Sequence, residues 1–288
     1  MGMHIERFAP SPTGHLHLGH AFSALTAWEA AREAKGVFRL RIEDIDIARA
    51  RPEYEAAIFE DLRWLGLSWP EPVMRQSARM DAYAQALAQL EHMGLTYRCS
   101  CTRKDIALAG AAPQEGDGRP AEMGPDGPRY PGTCRPENGG CDADKPYAVR
   151  LKMAEAVARV GTLSYREVGG APNTVKVAAN WLIDKCGDIV LARKETPTSY
   201  HLAVVVDDAA EKITHVTRGA DLIPATPVHR LLQSLLGLPA PVYRHHRLIR
   251  DASGRRLAKR ADDVSLASLR ANGWSVADVR RAVGLSTE

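Results

Sequence analysis

The sequence predicts an α/β fold, because strand patterns lead directly into helix patterns from the N-terminus onward. Residues 4–9 form a short apolar segment, and a Pro/Gly turn leads from it into a helical pattern of apolar residues three and four positions apart. Val37–Ile42 alternates in the manner of a strand, and acidic residues follow at its carboxyl end. Open parallel sheets bind ligands at that edge, so we expect a binding site there.

Proline and glycine mark the boundaries of the other predicted helices. Pro52 can open a helix whose apolar face includes Ile58 and Leu62, and Gly66 can end it. The remaining predicted elements are helices over residues 79–93, 197–206, 226–236 and 275–283, and a buried strand over residues 188–192.

Length and composition place the chain among globular proteins. Its 288 residues, of which 45% are hydrophobic, can bury a core in one or two domains. The N-terminus carries charges and prolines where a signal peptide would have an apolar run. No apolar stretch reaches the roughly 18 residues that span a membrane. We therefore expect a cytoplasmic protein.

The net charge of +3 is small, but the charge is distributed unevenly along the chain. Residues 241–260 contain seven arginines and lysines against one acidic residue, Asp251. Such a run is typical of a surface that contacts phosphates, although it is also common in solvated loops.

Two histidines lie where the first strand enters the first helix. His17 and His20 are three residues apart, so their side chains share one face of the helix start. A helix N-terminus offers free backbone N–H groups and suits a phosphate. Each imidazole can also donate an N–H to a phosphoryl oxygen. The alternative interpretation is a proline-punctuated turn with incidental histidines.

The middle of the chain favours a metal site. Residues 110–146 contain eight glycines and seven prolines, a composition that predicts no regular helix or sheet. Cys99, Cys101, Cys134 and Cys141 flank or occupy this segment, and a bound ion would explain how it stays ordered. In a reducing compartment a metal is favoured over a disulfide. The Cys-x-Cys spacing alone is weak evidence, and reduced thiols without metal remain the alternative.

Four ordered motifs resemble one family. Arg7 to Gly14, followed by His17-Leu18-Gly19-His20, resembles the opening and HIGH motif of the glutamyl-tRNA synthetases, which are class I enzymes. The other three matching stretches are residues 40–46, residues 199–208 with 217–222, and the KMSKS-like Arg256-Leu257-Ala258-Lys259-Arg260. The resemblance implies a Rossmann-type catalytic domain with an inserted zinc-containing acceptor-type subdomain.

The resemblance also implies domain boundaries. It places the first half of the catalytic domain in residues 1–98 and the inserted subdomain in residues 99–184. The second half, with the KMSKS-like loop, would cover residues 185–260, and a short C-terminal helical segment would cover residues 261–288.

Chain length favours one branch of the family. Only 28 residues follow Arg260, so no anticodon-binding domain is expected. The chain therefore resembles the truncated glutamyl-queuosine tRNA(Asp) synthetases most closely. That resemblance implies a ligase-type enzyme that activates L-glutamate with ATP, giving AMP and pyrophosphate. It would transfer glutamate to the queuosine base of the tRNA(Asp) anticodon arm. We expect a monomer without a membrane partner.

The same resemblance implies roles for individual residues. His17, His20 and Lys259 would be catalytic and would bind ATP, which is expected to carry Mg²⁺. The implied glutamate-binding residues are Arg7, Ser11, Glu43, Tyr200 and Arg218. Guanidinium groups fit carboxylates, and Glu43 would accept from the substrate ammonium. Ala258 replaces the usual serine of the KMSKS loop, so slower activation is expected.

Residues 129–134 resemble the zinc segment of the truncated branch. The resemblance implies one structural zinc held by Cys99, Cys101, Tyr130 and Cys134. Cys141 is the rival fourth ligand, since thiolate is the commoner choice for zinc.

Two other functions remain open from the sequence. One is a truncated glutamyl-tRNA synthetase that charges a tRNA 3′ end with an anticodon-binding partner supplied in trans. The other is a zinc-containing RNA-binding module without catalysis, which the intact His17, His20 and Lys259 disfavour.

Overall fold

The computed structural model describes residues 2–106, 123–124, 127–170, 173–249 and 264–287, and it confirms the predicted α/β class. The strands are β1 Ile5–Phe8, β2 Val37–Ile42, β3 Met74–Arg75, β4 Thr96–Cys99, β5 Met123–Gly124, β6 Gly127–Pro128, β7 Ala148–Leu151, β8 Leu163–Val168, β9 Asn173–Val177, β10 Val190–Ala192, β11 His215–Gly219 and β12 Val242–His246. The main helices are α1 Leu18–Glu33, α2 Pro52–Trp64, α3 Met80–His92, α4 Met153–Val160, α5 Tyr200–Ala210, α6 Thr226–Leu235, α7 Leu266–Ala271 and α8 Val276–Ala282.

The N-terminal strands form a parallel sheet in the order β1-β2-β3. The strand predicted at Val37–Ile42 is confirmed, and the predicted segment 4–9 forms β1. Phe38, Leu40 and Ile42 are buried in one core with the inner faces of α1 and α2. Parallel pairing of β1 with β2 places Phe8 opposite Leu40, so both strands end at the same edge.

A second sheet has the order β11-β12-β8-β9, with β11, β12 and β8 parallel. It lies beside β1, because the N–H of Thr214 donates to the carbonyl of Ile5 at 3.0 Å. The buried Glu6 carboxylate accepts from the N–H and hydroxyl of Thr217 at 3.2 and 3.0 Å. These contacts bring β11 next to the N-terminal sheet.

The third sheet joins segments far apart in sequence. It is antiparallel in the order β10-β7-β4, and it packs on a core that includes Leu151, Leu191, Leu202 and Leu232. Its three strands come from segments on different sides of the predicted boundaries at residues 98 and 184. The pairing of β8 with β12 also joins segments from the two sides of residue 184. The division at residues 98, 184 and 260 therefore stays a prediction.

Two sequence-based expectations need correction. The helix predicted over residues 197–206 spans Tyr200–Ala210, because the Ser199 hydroxyl caps it by accepting from the N–H of Leu202. Within residues 110–146, β5 and β6 form a two-residue antiparallel ladder where we expected no sheet. Much of that segment lies outside the described residues. None of the described helices has the length and apolar character needed to cross a membrane.

Asp61 on α2 is a buried charge without good partners. Its side chain is fully buried, and among the described residues neither carboxylate oxygen accepts a hydrogen bond. The nearest cation is Arg270 of α7, at 3.7 Å. Burial raises the pKa of Asp61 to about 6, against the lowering effect of Arg270. When the folded-state pKa of a carboxyl group is raised, the folded state loses stability as pH rises from the unfolded-state pKa through the folded-state pKa.

We predict that Asp61 makes the protein less stable as pH rises through this range. Relative to Asp61→Asn, the unfolding free energy of the wild type should fall by roughly 2 kcal/mol between pH 4.5 and 8, measured by urea denaturation. In Glu60→Gln the same fall should be smaller, because Glu60, an exposed partner of Arg270 at 2.9 Å, also raises the pKa of Asp61. A wild-type-to-Asn difference that is equal at both pH values would contradict the prediction.

Candidate active site

A cavity of about 630 Å³ opens where β1, β2 and β11 end and α1 begins. Parallel strands and a helix N-terminus meet at such an edge, which suits an anionic ligand. The resemblance implies that eight residues bind ATP or glutamate. Seven of them line this cavity: Arg7, Ser11, His17, His20, Glu43, Tyr200 and Arg218. The eighth, Lys259, lies outside the described residues, as does the rest of the KMSKS-like motif.

The two histidines hold each other at the start of α1. His17 is the N-cap residue, and its Nδ1 accepts from the N–H of Gly19 at 3.1 Å. The N–H of His17 in turn donates to Nδ1 of His20 at 3.2 Å. Because both Nδ1 atoms accept, each neutral ring carries its proton on Nε2 and can donate from that atom. A Cβ on Gly19 would lie 2.9 Å from the His17 ring, so a larger residue here would displace that ring.

Both flanks of residues 250–263 lie beside these histidines. Ile249 lines the cavity. Ser265 forms an antiparallel bridge with His17, and the N–H of Leu266 donates to the carbonyl of Leu16 at 2.8 Å. The described residues on either side of this segment therefore lie at the cavity.

Arg7 is anchored by a carboxylate below the cavity. Its Nε donates to Oδ1 of Asp208 at 3.2 Å, and the fully buried Arg41 donates to the same oxygen at 2.9 Å. Arg41 also donates to Glu211 at 2.9 Å. Although burial acts in the opposite direction, the two guanidinium groups hold the pKa of Asp208 below its usual value. Asp208 is therefore an ionised anchor that fixes two arginines.

Glu43 presents a carboxylate to the cavity directly after β2. Its Oε1 accepts from Arg41 at 3.4 Å. Burial raises the pKa of Glu43, and Arg41 and Arg7 only partly oppose that rise. A cationic ligand such as an ammonium group would stabilise the ionised form.

Arg218 is held by neutral acceptors. Its Nη2 donates to the Thr226 hydroxyl at 2.7 Å, its Nη1 to Nδ1 of His229 at 3.1 Å, and its Nε to Nε2 of His245 at 3.2 Å. The residue is 4% exposed, and no described acidic side chain forms an ion pair with it. A buried guanidinium without a direct ion pair has a strong electrostatic preference for an anion.

Ser11 and Tyr200 complete the predicted set. The Ser11 hydroxyl lies 3.3 Å from that of Thr13 in the turn after β1. Tyr200 is the first residue of α5, and its ring lies 5.4 Å from the His229 ring. Burial raises the pKa of Tyr200, so its phenol stays protonated and can donate.

Three of the predicted zinc ligands lie together in the structure. The sulfur atoms of Cys99, Cys101 and Cys134 all lie within 4.8 Å of one another. Tetrahedral zinc with bonds of about 2.3 Å requires sulfur atoms about 3.8 Å apart, so the cluster fits this ion. Burial acts to raise the pKa of the Cys134 thiol, but hydrogen bonds with Tyr130 and Cys101 outweigh it and lower that pKa to about 7.

Tyr130 reaches the same cluster. Its oxygen lies 3.8 Å from the sulfur of Cys101 and accepts from the N–H of Cys134 at 2.6 Å. Burial raises the pKa of the phenol, so its deprotonation would need a metal charge nearby. The Arg150 guanidinium, 3.8 Å from the ring centre, adds a positive charge. Cys141 packs near this cluster but is not one of the three grouped thiols.

Sequence reasoning missed the residues that hold the arginines. Arg41 gave no distinct signal, because it follows the alternation of the strand on the same face as Arg39. His229 and His245 gave none, since they lie 11 and 27 residues from Arg218 and neither falls in a recognised motif.

Comparison with known protein sequences supports the family resemblance that the motifs indicate. The family model of class I tRNA synthetases (E and Q), catalytic domain, matches residues 5–284. A glutamyl-Q tRNA(Asp) synthetase of Rhodobacter capsulatus is 53% identical over 98% of this chain and 100% of its own length. Another protein of that name, from Nitratidesulfovibrio vulgaris, is 41% identical over 95% of this chain and 83% of its own.

A solved structure gives the same result for the fold. The glutamate-tRNA synthetase of Elizabethkingia anophelis matches with a TM-score of 0.70 and 27% identity, over 95% of this chain. The match covers 54% of that protein, so this chain spans about half its length. By sequence and by fold, the chain belongs to the family of class I glutamyl- and glutaminyl-tRNA synthetases.

Proposed function

We propose that this protein activates glutamate with ATP and transfers it to the queuosine base of the tRNA(Asp) anticodon. The observation that carries the proposal is one cavity that joins His17 and His20, at a helix N-terminus, to Arg218, a buried cation held by neutral groups. The names of relatives that match nearly the whole chain support the choice of glutamate and tRNA(Asp).

In the first step, an α-carboxylate oxygen of glutamate attacks the α-phosphorus of ATP. A new P–O bond forms, the bond to the β-phosphate bridge breaks, and pyrophosphate leaves. Both reactants are anionic, so the enzyme contributes positioning and charge stabilisation. The Nε2–H groups of His17 and His20 would donate to phosphate oxygens, and Lys259 would hold the leaving pyrophosphate. Mg²⁺ would accompany the phosphates of ATP.

Glutamate would bind between β1, β2 and β11. The substrate carboxylates would pair with Arg218 and Arg7, whose bidentate geometry suits them. Glu43 would accept from the substrate ammonium, and Ser11 and Tyr200 would donate hydroxyl hydrogen bonds. Because the carboxylate of Asp208 already offsets the charge of Arg7, Arg218 would supply most of the positive charge that selects glutamate over a neutral amino acid.

In the second step, a hydroxyl of the queuosine base attacks the acyl carbon of glutamyl-adenylate, and AMP leaves. A second cavity of about 660 Å³ shares Tyr200 with the first, and its wall includes Arg103, Arg193 and Lys194. Basic residues at this place would contact RNA phosphates while an unpaired anticodon base enters.

Zinc would be held by Cys99, Cys101, Tyr130 and Cys134, and it would order the segment beside this second cavity. The reduced thiols that zinc requires suit the cytoplasm. A monomer would suffice, because seven of the eight assigned residues come from one chain and line one cavity.

Pyrophosphate exchange tests the activation step. With ATP, Mg²⁺ and glutamate, the protein alone should incorporate labelled pyrophosphate into ATP. Glutamine should support exchange about 10³-fold less well, because its neutral amide leaves a buried guanidinium unpaired. Exchange that is independent of added amino acid, or equal for both, would contradict the proposal.

A further inference from the structure

The two arginines of the cavity are held in opposite ways. Arg7 donates to the carboxylate of Asp208 at 3.2 Å, so a negative charge lies directly on its guanidinium. Arg218 instead donates to a hydroxyl and to two imidazole rings, at 2.7 to 3.2 Å. Both arginines are buried, so the difference lies in the charge of their partners and not in access to solvent.

The hydrogen bonds fix the protonation of both rings. A guanidinium only donates, so Nδ1 of His229 and Nε2 of His245 must be unprotonated. Nε2 of His229 then carries the proton and donates to Nδ1 of His201 at 3.0 Å. Nδ1 of His245 donates to Glu167 at 2.9 Å. Each neutral ring therefore accepts a hydrogen bond from Arg218 at one nitrogen and donates one from the other nitrogen, and it adds no charge.

Burial and the neighbouring positive charge of Arg218 maintain this neutral state. Burial, followed by Arg218, lowers the pKa of His229 well below its usual value, and His201, Arg7 and His245 act in the same direction. Burial and Arg218 also lower the pKa of His245 to about 3. Protonation of either ring would remove the acceptor on which Arg218 depends.

We propose that His229 is a specificity-determining positioning residue, whose neutral Nδ1 orients Arg218 while leaving its charge to select an anionic substrate. The inference rests on the proposed function, in which Arg218 binds a carboxylate of glutamate. A carboxylate in place of the ring would orient the guanidinium equally well but would cancel its charge. The net charge of the partner, and not only its ability to accept, is therefore what the site requires.

A matched pair of variants separates these two properties. His229→Asn and His229→Asp each place an oxygen acceptor near the position of Nδ1, and they have the same shape but differ in charge. We expect His229→Asn to raise the KM for glutamate by less than about tenfold. His229→Asp should raise it by about 10²-fold with a smaller change in kcat, and it should reduce the preference for glutamate over glutamine. Kinetics would be measured by pyrophosphate exchange, and glutamate binding by calorimetry without ATP.

Equal KM values and equal glutamate preference in the two variants would overturn the proposal. Melting curves would establish that both variants fold. If His229→Asp does not fold, Thr226→Asn and Thr226→Asp make the same comparison at the hydroxyl that accepts from Nη2 of Arg218 at 2.7 Å, under the same criterion. Absence of glutamate-dependent exchange in the wild type would instead refute the proposed function.

Discussion

Replacing Arg218 by glutamine should lower kcat/KM for glutamate in pyrophosphate exchange by about 10³-fold. The substitution removes a buried cation that the structure holds by neutral partners only, so a substrate carboxylate would be desolvated without a counter-charge. The loss should appear chiefly in KM, because the interaction exists before the chemical step. The preference for glutamate over glutamine should fall in the same variant.

Arg230→Gln is the control for this experiment. Arg230 lies on α6 near His229, but its Nε donates to the carbonyl of Ser164, away from the cavity. Its exchange kinetics should stay within about twofold of the wild type, as expected for a surface change. A wild-type KM in Arg218→Gln would remove Arg218 from the glutamate site.

Removing one thiol of the cysteine cluster should abolish metal retention. We expect about one zinc per chain in the wild type and less than about 0.1 in Cys99→Ser, since Cys99 is fully buried within the three-thiol group. Elemental analysis of protein prepared without chelator measures both values. The melting temperature should fall with the zinc, because binding energy of a structural metal is also folding energy. Wild-type protein without zinc would contradict the assignment.

The fourth ligand is tested by a second pair of variants. Tyr130→Phe should speed the loss of zinc to a chelator, because the Tyr130 oxygen lies 3.8 Å from the sulfur of Cys101. Cys141→Ser should release zinc at the wild-type rate, since Cys141 is not one of the grouped thiols. The reverse pattern would make Cys141 the fourth ligand.

Local signals predicted the elements of the fold that have strong patterns of their own. Val37–Ile42 follows from its alternation, and the helix after His17 from its turn and apolar spacing. β12 was not predicted, because Val-Tyr-Arg-His-His shows little alternation. Its strand conformation depends on pairing with β11 and β8, which are distant in sequence.

In the candidate site too, some residues could be assigned from the sequence and others could not. Residues within motifs, such as Arg7 and Glu43, could be assigned by resemblance, and the structure places them in one cavity. Asp208 lies within a recognised motif, yet its role below Arg7 depends on contact across about 200 residues of sequence. Nothing in the sequence distinguishes His229 from the other nine histidines, because only the fold places its ring beside Arg218.

The measurement that tests the central claim most directly is the position of labelled glutamate on tRNA(Asp). Incubated with ATP and Mg²⁺, the protein should glutamylate an isolated tRNA(Asp) anticodon stem-loop that carries queuosine, and nuclease mapping should find the label on that base. The unmodified stem-loop should stay unlabelled. Label on the 3′-terminal adenosine of full-length tRNA would contradict the account and would identify an enzyme that charges the tRNA 3′ end.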